Sequence, residues 1–191
     1  MSDYALFIMG KSGCGKSTLE QGLCAHPQFK KVVSATTRLP RPGEVNGQDY
    51  YFFTHRKFEQ LKHSGTMIQH TSFASNQYGS MLDEYTTTIP FVTLCVVPYS
   101  AAIFGPVLSQ VVPGIKIVNI YFDITDQRLR ENMRKRGDSE DIIEQRLQAD
   151  DLDLQFKQHN LQADYTITDD TLDTNTTQRV LSWLQQETGA L

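Results

Sequence analysis

Residues 4–23, YALFIMGKSGCGKSTLEQGL, carry three signals in a short span. Tyr4–Met9 is an apolar run of the length expected for a buried parallel strand. Gly10-Lys11-Ser12-Gly13-Cys14-Gly15-Lys16-Ser17 then fits the spacing G-x-x-x-x-G-K-[ST], and a helix is predicted from about Gly15 to Ala25. Strand, glycine loop and helix in that order make a phosphate cradle. The glycines let backbone amides close around phosphate oxygens, and the helix N-terminus adds partial positive charge. Lys16 reaches the β- and γ-phosphates, while Ser17 offers a hydroxyl to Mg²⁺. A nucleoside triphosphate site follows, built from Gly10, Ser12, Gly13, Cys14, Gly15, Lys16, Ser17 and Thr18.

Outward from this loop the chain alternates between strand and helix patterns. Lys31–Ser34, Tyr50–Phe53, Met67–Phe73, Phe91–Val97, Ile115–Phe122 and Tyr165–Ile167 read as strands. Helices are predicted over about 55–63, 101–110, 139–158 and 174–187. Such alternation implies an α/β sandwich around a parallel sheet. Residues from about 34 to 85 differ, with strands joined by short turns, and read as an inserted subdomain.

Composition narrows the partners. The 191 residues are 39% hydrophobic and 21% charged with a net charge of −4, which argues against a general nucleic-acid or anionic-membrane binder. Three cysteines, odd in number and without CxxC spacing, fit a reducing cytoplasm better than a disulfide framework or zinc site. The start, MSDYALFIMG, lacks the basic and long apolar regions of a signal peptide. Pro98, Pro106 and Pro113 break the apolar stretch 89–122 into strand, helix and strand rather than a membrane span. His26, His55, His63, His70 and His159 show no metal-ligand spacing, and Ser12 and Ser17 lack a nucleophile elbow. Cys14 sits by a helix N-terminus that would lower its pKa, or else simply fills a variable loop position.

A second dense region is Ser34-Ala-Thr-Thr-Arg38-Leu-Pro-Arg41-Pro-Gly-Glu-Val-Asn-Gly-Gln-Asp-Tyr50-Tyr-Phe. Two arginines in a proline-stiffened loop near tyrosine hydroxyls can clamp a phosphate at several points. Together with the phosphate loop and Asn76-Gln-Tyr78-Gly-Ser80, this stretch resembles the guanylate kinases in motif order and approximate spacing. The resemblance implies a P-loop NTPase three-layer sandwich with a parallel sheet core, an inserted mixed α+β NMP-binding subdomain (about 34–85) and a helical lid (about 125–158). The core would then comprise 1–33, 86–124 and 159–191. It implies ATP-dependent phosphorylation of GMP or dGMP with Mg²⁺. Arg38, Arg41, Tyr50 and Tyr78 would hold the acceptor phosphate, with Ser34, Gln69 and Ser80 near the base. In the basic segment Leu129–Gly137 and the following Ile143–Leu147, Arg136 and Arg146 would join Lys16 around the transferring phosphoryl group, and Arg128, Arg130 and Lys135 read as solvated surface. Tyr165–Asp170 resembles the adenine-side segment, with Asp169 toward ATP and Thr168 in place of an Asn.

Departures from the family pattern are concentrated at the base and the metal. Gln69 stands where the family has a guanine-reading Glu, and Cys95 and Val97 occupy two Asp positions. Asn132 replaces a lid Arg, and the turn after Gly137 is one residue short. Two rival readings therefore stay open: a kinase for another monophosphate or related phosphate acceptor, and a non-catalytic guanylate kinase-like binding module. Oligomeric state is not encoded in any of these features.

Overall fold

The computed structural model describes residues 3–41, 43–73, 76–149 and 160–191. Its main sheet has the order β2-β7-β1-β8-β9, all parallel, from Phe29–Lys31 (β2), Phe91–Cys95 (β7), Tyr4–Gly10 (β1), Lys116–Asp123 (β8) and Tyr165–Thr168 (β9). The central strand explains the architecture. Leu6 and Ile8 enter one apolar cluster with Phe91, Ile120 and Leu184, whereas Ala5, Phe7 and Met9 enter another with Phe104 and Leu108. Both faces of β1 are covered, as parallel sheets require.

Helices supply the outer layers. On the first face lie α1 (Lys16–Cys24), through Leu19 and Leu23, and the C-terminal helix α6 (Thr176–Thr188), through Val180 and Leu184. Gly22 brings α1 and α6 close, since a Cβ there would run into Thr177. On the other face α3 (Pro98–Val111) buries Ala101, Phe104 and Leu108. Phe104 stacks on Phe7 at 5.7 Å between ring centroids.

A second sheet, β4-β3-β6-β5, comprises Tyr51–Phe52 (β4), Ala35–Thr36 (β3), Asn76–Met81 (β6) and Met67–Phe73 (β5). It mixes a parallel β3–β4 pair with antiparallel β3–β6 and β5–β6 pairs. Helix α2 (His55–His63), capped where the Thr54 hydroxyl accepts from Lys57 N, drops Phe58 into a small core with Ala35 and Met67. Strand alternation then sorts the aromatics: Tyr51 and Phe53 join that core, while Tyr50 and Phe52 lie by Arg38.

Two further helices follow β8. In α4 (Asp126–Lys135) Thr125 caps the first turn, and Leu129 and Met133, four residues apart, form the buried stripe. Helix α5 (Glu140–Ala149) buries Ile143 and leaves Ile142 exposed.

Most sequence-based boundaries hold within two or three residues. The single strand expected at Lys31–Ser34 is instead two strands in different sheets, β2 and β3, with the chain crossing between them. Strand β6 does not read as a strand from its sequence, NQYGSM, which lacks β-branched residues; β3 and β5 carry it by register. The helix expected to reach about residue 158 is described as far as Ala149; Leu152 and Leu154, expected in it, and His159 lie outside the described residues.

Candidate nucleotide and phosphate-acceptor site

Loop 10–17 leaves the C-terminal end of β1, between β7 and β8, where parallel α/β sheets bind ligands. Its glycines meet steric demands. Gly10 (φ 150°) lies so close to β8 that a Cβ would sit 2.7 Å from both Cys14 Sγ and Phe122 Cβ. Gly13 (φ 84°) is covered by α4, with Met133 Cγ 2.8 Å from a virtual Cβ. Lys16 spans the loop, its ammonium donating to the carbonyls of Gly10 (2.7 Å) and Lys11 (2.9 Å). Ser17 and Thr18 are exposed at the start of α1.

Cys14 is fully buried beneath this loop, and burial pushes its thiol pKa up despite Lys16 nearby. Desolvation thus overrides the helix terminus, and the lowered pKa expected for a reactive thiol is not found.

Helix α4 roofs the loop. The Asn132 amide donates to the Gly13 carbonyl at 2.9 Å, and Lys11 pairs with Asp126 at 2.9 Å. Position 132 therefore fastens α4 to the phosphate loop, a role that its short amide fits and an arginine's length would not. Arg128, read as solvated surface, instead borders the cavity over the loop, with its Nε buried and without a hydrogen-bond partner among the described residues. Arg130 and Arg134 are tied to Glu144 and Glu140 at the exterior, and Lys135 is exposed. Arg136 and Arg146 converge on one carboxylate, Asp138: Arg136 Nε donates to Oδ2 at 3.1 Å and Arg146 Nη1 at 3.4 Å.

Two cavities meet here. The larger, about 1000 Å³, runs from the phosphate loop past Arg128, Asn132, Arg136 and Arg146 to Leu172, Asp173 and Thr174. The smaller, about 510 Å³, reaches from α1 to the second sheet. Ser17, Arg41 and Tyr50 border both. Asp169 does not border the larger cavity; it accepts from Thr125 N at 3.3 Å, and the wall there belongs to the residues just after it.

The smaller cavity brings together Ser34, Arg38, Arg41, Tyr50 and Tyr78. Glu44 organises them. Its carboxylate takes Arg38 end-on (Nη1–Oε2 2.9 Å, Nη2–Oε1 2.8 Å) and also accepts from Arg41 N at 2.6 Å. Hydrogen bonding with Arg38 holds Glu44 below its ordinary pKa. With Nη1 also on Leu39 O, the Nε–H and the second Nη2 proton of Arg38 stay free among the described residues. That edge has the geometry for two phosphate oxygens. The Arg38 guanidinium lies 5.4 Å from the Tyr50 ring centroid, and Tyr50 meets Tyr78 edge-on at 6.2 Å. Burial pushes the Tyr50 phenol up to about 12, so it remains a hydrogen-bond donor at neutral pH.

Gln69 and Ser80 are neighbours on β5 and β6, where the Ser80 hydroxyl donates to Gln69 Oε1 at 3.2 Å; neither borders the smaller cavity. The smaller cavity is also lined by Cys95, at one of the two family Asp positions, and by two residues that sequence reasoning does not single out, Glu20 and Lys31. The signal for Glu20 lies in its spacing, three residues after Ser17 on one helix. Glu44 is visible inside the arginine motif, and Asp138 just past the lid arginines, but neither shows its partners without the fold.

A family model described as "Guanylate kinase" matches residues 3–187. A guanylate kinase of Trichormus variabilis is 34% identical over 172 residues, covering 85% of each chain. One from Streptococcus pyogenes serotype M3 is 33% identical over 153 residues, covering 78% of this chain and 72% of the relative. The crystal structure of guanylate kinase from Anaplasma phagocytophilum superposes with a TM-score of 0.66 at 22% identity, over 97% of this chain and 86% of that one. Its likeness is one of fold. With a phosphate loop and an arginine–tyrosine cluster bordering joined cavities, and with a family match along nearly its whole length, this chain belongs to the guanylate kinase family.

Proposed function

We propose that the protein transfers the γ-phosphoryl group of ATP to GMP or dGMP, yielding ADP and GDP or dGDP. The observation that carries this reading is the shared border of the two cavities at Ser17, Arg41 and Tyr50, which lets a donor and an acceptor phosphate meet. The loop amides and Lys16 bind the ATP phosphates, for which Lys16 must leave its two carbonyl partners. Arg38, through its free edge, then holds the acceptor phosphate with Arg41, Tyr50 and Tyr78. Ser34, Gln69 and Ser80 serve the base once the second sheet closes on the ligand. Arg136 and Arg146 exchange Asp138 for the transferring group and help exclude water. Because the nucleophile is already an anionic phosphate oxygen, positioning and charge do most of the work.

The donor set suits Mg²⁺. Among the described residues no group of three or more His, Cys, Asp or Glu could hold a metal by itself. The exposed Ser17 hydroxyl, nucleotide oxygens and water suit an ion that keeps much of its hydration shell. Bound there, Mg²⁺ would draw charge from the β- and γ-phosphate oxygens.

The division into core (1–33, 86–124, 159–191), NMP-binding subdomain (34–85) and lid (125–158) belongs to this reading. So does a cytoplasmic location, which an odd number of cysteines without CxxC spacing supports. Coupled ADP production with Mg-ATP and GMP, dGMP, AMP, CMP, UMP or IMP tests the assignment against a Lys16→Ala control. Turnover with GMP that the control abolishes is expected. Turnover with another monophosphate alone would reassign the acceptor, and ATP binding without transfer to any of the six would leave a binding module.

A further inference from the structure

Phosphate-loop nucleotide hydrolases generally pair the loop hydroxyl with an aspartate from a neighbouring strand to hold the metal–nucleotide complex. Here β1 lies between β7 and β8: Asp123, which ends β8, borders neither cavity, and the end of β7, Cys95-Val96-Val97, carries no acid. A carboxylate is nevertheless present at that place. Glu20 lies one turn after Ser17 on α1, and positions three apart share a helix face. Ser17, Glu20 and Cys95 all border the smaller cavity.

The surroundings of Glu20 are unusual for a structural residue. It is 6% exposed in a helix whose neighbours Leu19 and Leu23 are core, so an apolar side chain would be less costly there. The Thr93 hydroxyl donates to Oε1 at 3.3 Å, and Cys95 lines the same cavity. Lys31 Nζ, at 3.9 Å from Oε2, makes only a loose ion pair. An ionised carboxylate has about four acceptor sites, so these contacts leave capacity toward the cavity.

We propose that Glu20 is the acidic positioning residue of the metal–nucleotide complex, supplying from α1 the carboxylate that β7 lacks. Its oxygens accept hydrogen bonds from water around a cation held at Ser17, orienting that shell without touching the reacting phosphoryl group. This role rests on the phosphoryl-transfer reading above.

The test is calorimetric binding of the ATP analogue AMP-PNP with and without Mg²⁺, which isolates the gain in affinity due to the metal. Removing such an outer-shell partner typically costs 10- to 100-fold in metal affinity. Glu20→Gln, which still accepts from Thr93, is expected to bind metal-free analogue like the wild type and to lose about tenfold of the metal-dependent gain. Glu20→Leu, which removes the buried charge, covers the case in which the Gln variant does not fold. It should show the same loss, and Cys95→Asp added to it should restore the gain. Lys31→Met, which breaks only the ion pair, should keep the gain. A wild-type gain in both Glu20 variants, no recovery when Cys95→Asp is added, or an equal loss in Lys31→Met would overturn the proposal. If the wild type binds the analogue under neither condition, the phosphoryl-transfer reading falls and this inference with it.

Discussion

Glu44→Gln probes how the acceptor clamp is held. The native carboxylate makes two bonds to Arg38 and one to Arg41 N, at 2.6–2.9 Å, in a pair whose side chains are 15% and 18% exposed. Glutamine keeps one acceptor oxygen, so it cannot reproduce the two-oxygen grip and also cap Arg41. Hydrogen bonds to charged groups contribute about 1.5–3 kcal/mol, and partial exposure lowers that through solvent screening. A loss of about 1–2 kcal/mol in Arg38 orientation raises the KM for GMP by about 5- to 30-fold. Glu44 borders only the smaller cavity, so the KM for ATP should stay unchanged. Steady-state kinetics varying each substrate in turn gives both values. The pH dependence of stability is a second readout. Glu44 has a folded pKa below its reference 4.5, so its contribution is complete above pH 4.5 and is lost as pH falls through the lower folded value. The stability difference between wild type and variant should therefore be full near neutrality and shrink in acid. An unchanged KM for GMP, or an equal rise for both substrates, would refute the assignment of Glu44 as the holder of Arg38.

Three further outcomes are expected. Gly13→Ala places a Cβ 2.8 Å from Met133 Cγ at φ 84°, and should cost about 1–3 kcal/mol in a thermal or urea melt. Asp138→Asn removes the charge shared by Arg136 and Arg146, so the KM for ATP should change severalfold while the KM for GMP holds. Tyr50→Phe should remove from the ultraviolet titration a phenol ionising near pH 12, and should raise the KM for GMP; with the tyrosine present, activity should show no inflection from this phenol below pH 10.

The sequence is most readable where local rules and tertiary packing agree. The loop between β1 and α1 declares itself because glycine spacing, strand and helix coincide, and the space around Gly10 shows why no other residue fits. Helix α2, with its Thr54 cap and buried Phe58, is equally plain. Strand β6 is not, since NQYGSM becomes a strand only through pairing with β3 and β5. At the site the arginines are visible in the sequence, but their state is not. Arg38 is already gripped by Glu44, and Arg136 and Arg146 share Asp138, contacts that only the folded backbone creates. Arg128 and Asn132 depart from expectation for a similar reason: the way α4 sits on Gly13 decides which of its polar residues face the loop. Cys14 shows the reverse case, where a local electrostatic rule points one way and burial prevails.

Phosphoryl transfer between the two adjoining cavities fixes the ratio of the products. Phosphorus NMR of a reaction containing Mg-ATP, GMP and purified protein resolves ADP, GDP and inorganic phosphate together. Transfer from one cavity to the other produces ADP and GDP in equal amounts with negligible free phosphate. ADP accompanied by inorganic phosphate without GDP, or no ADP at all, would contradict it.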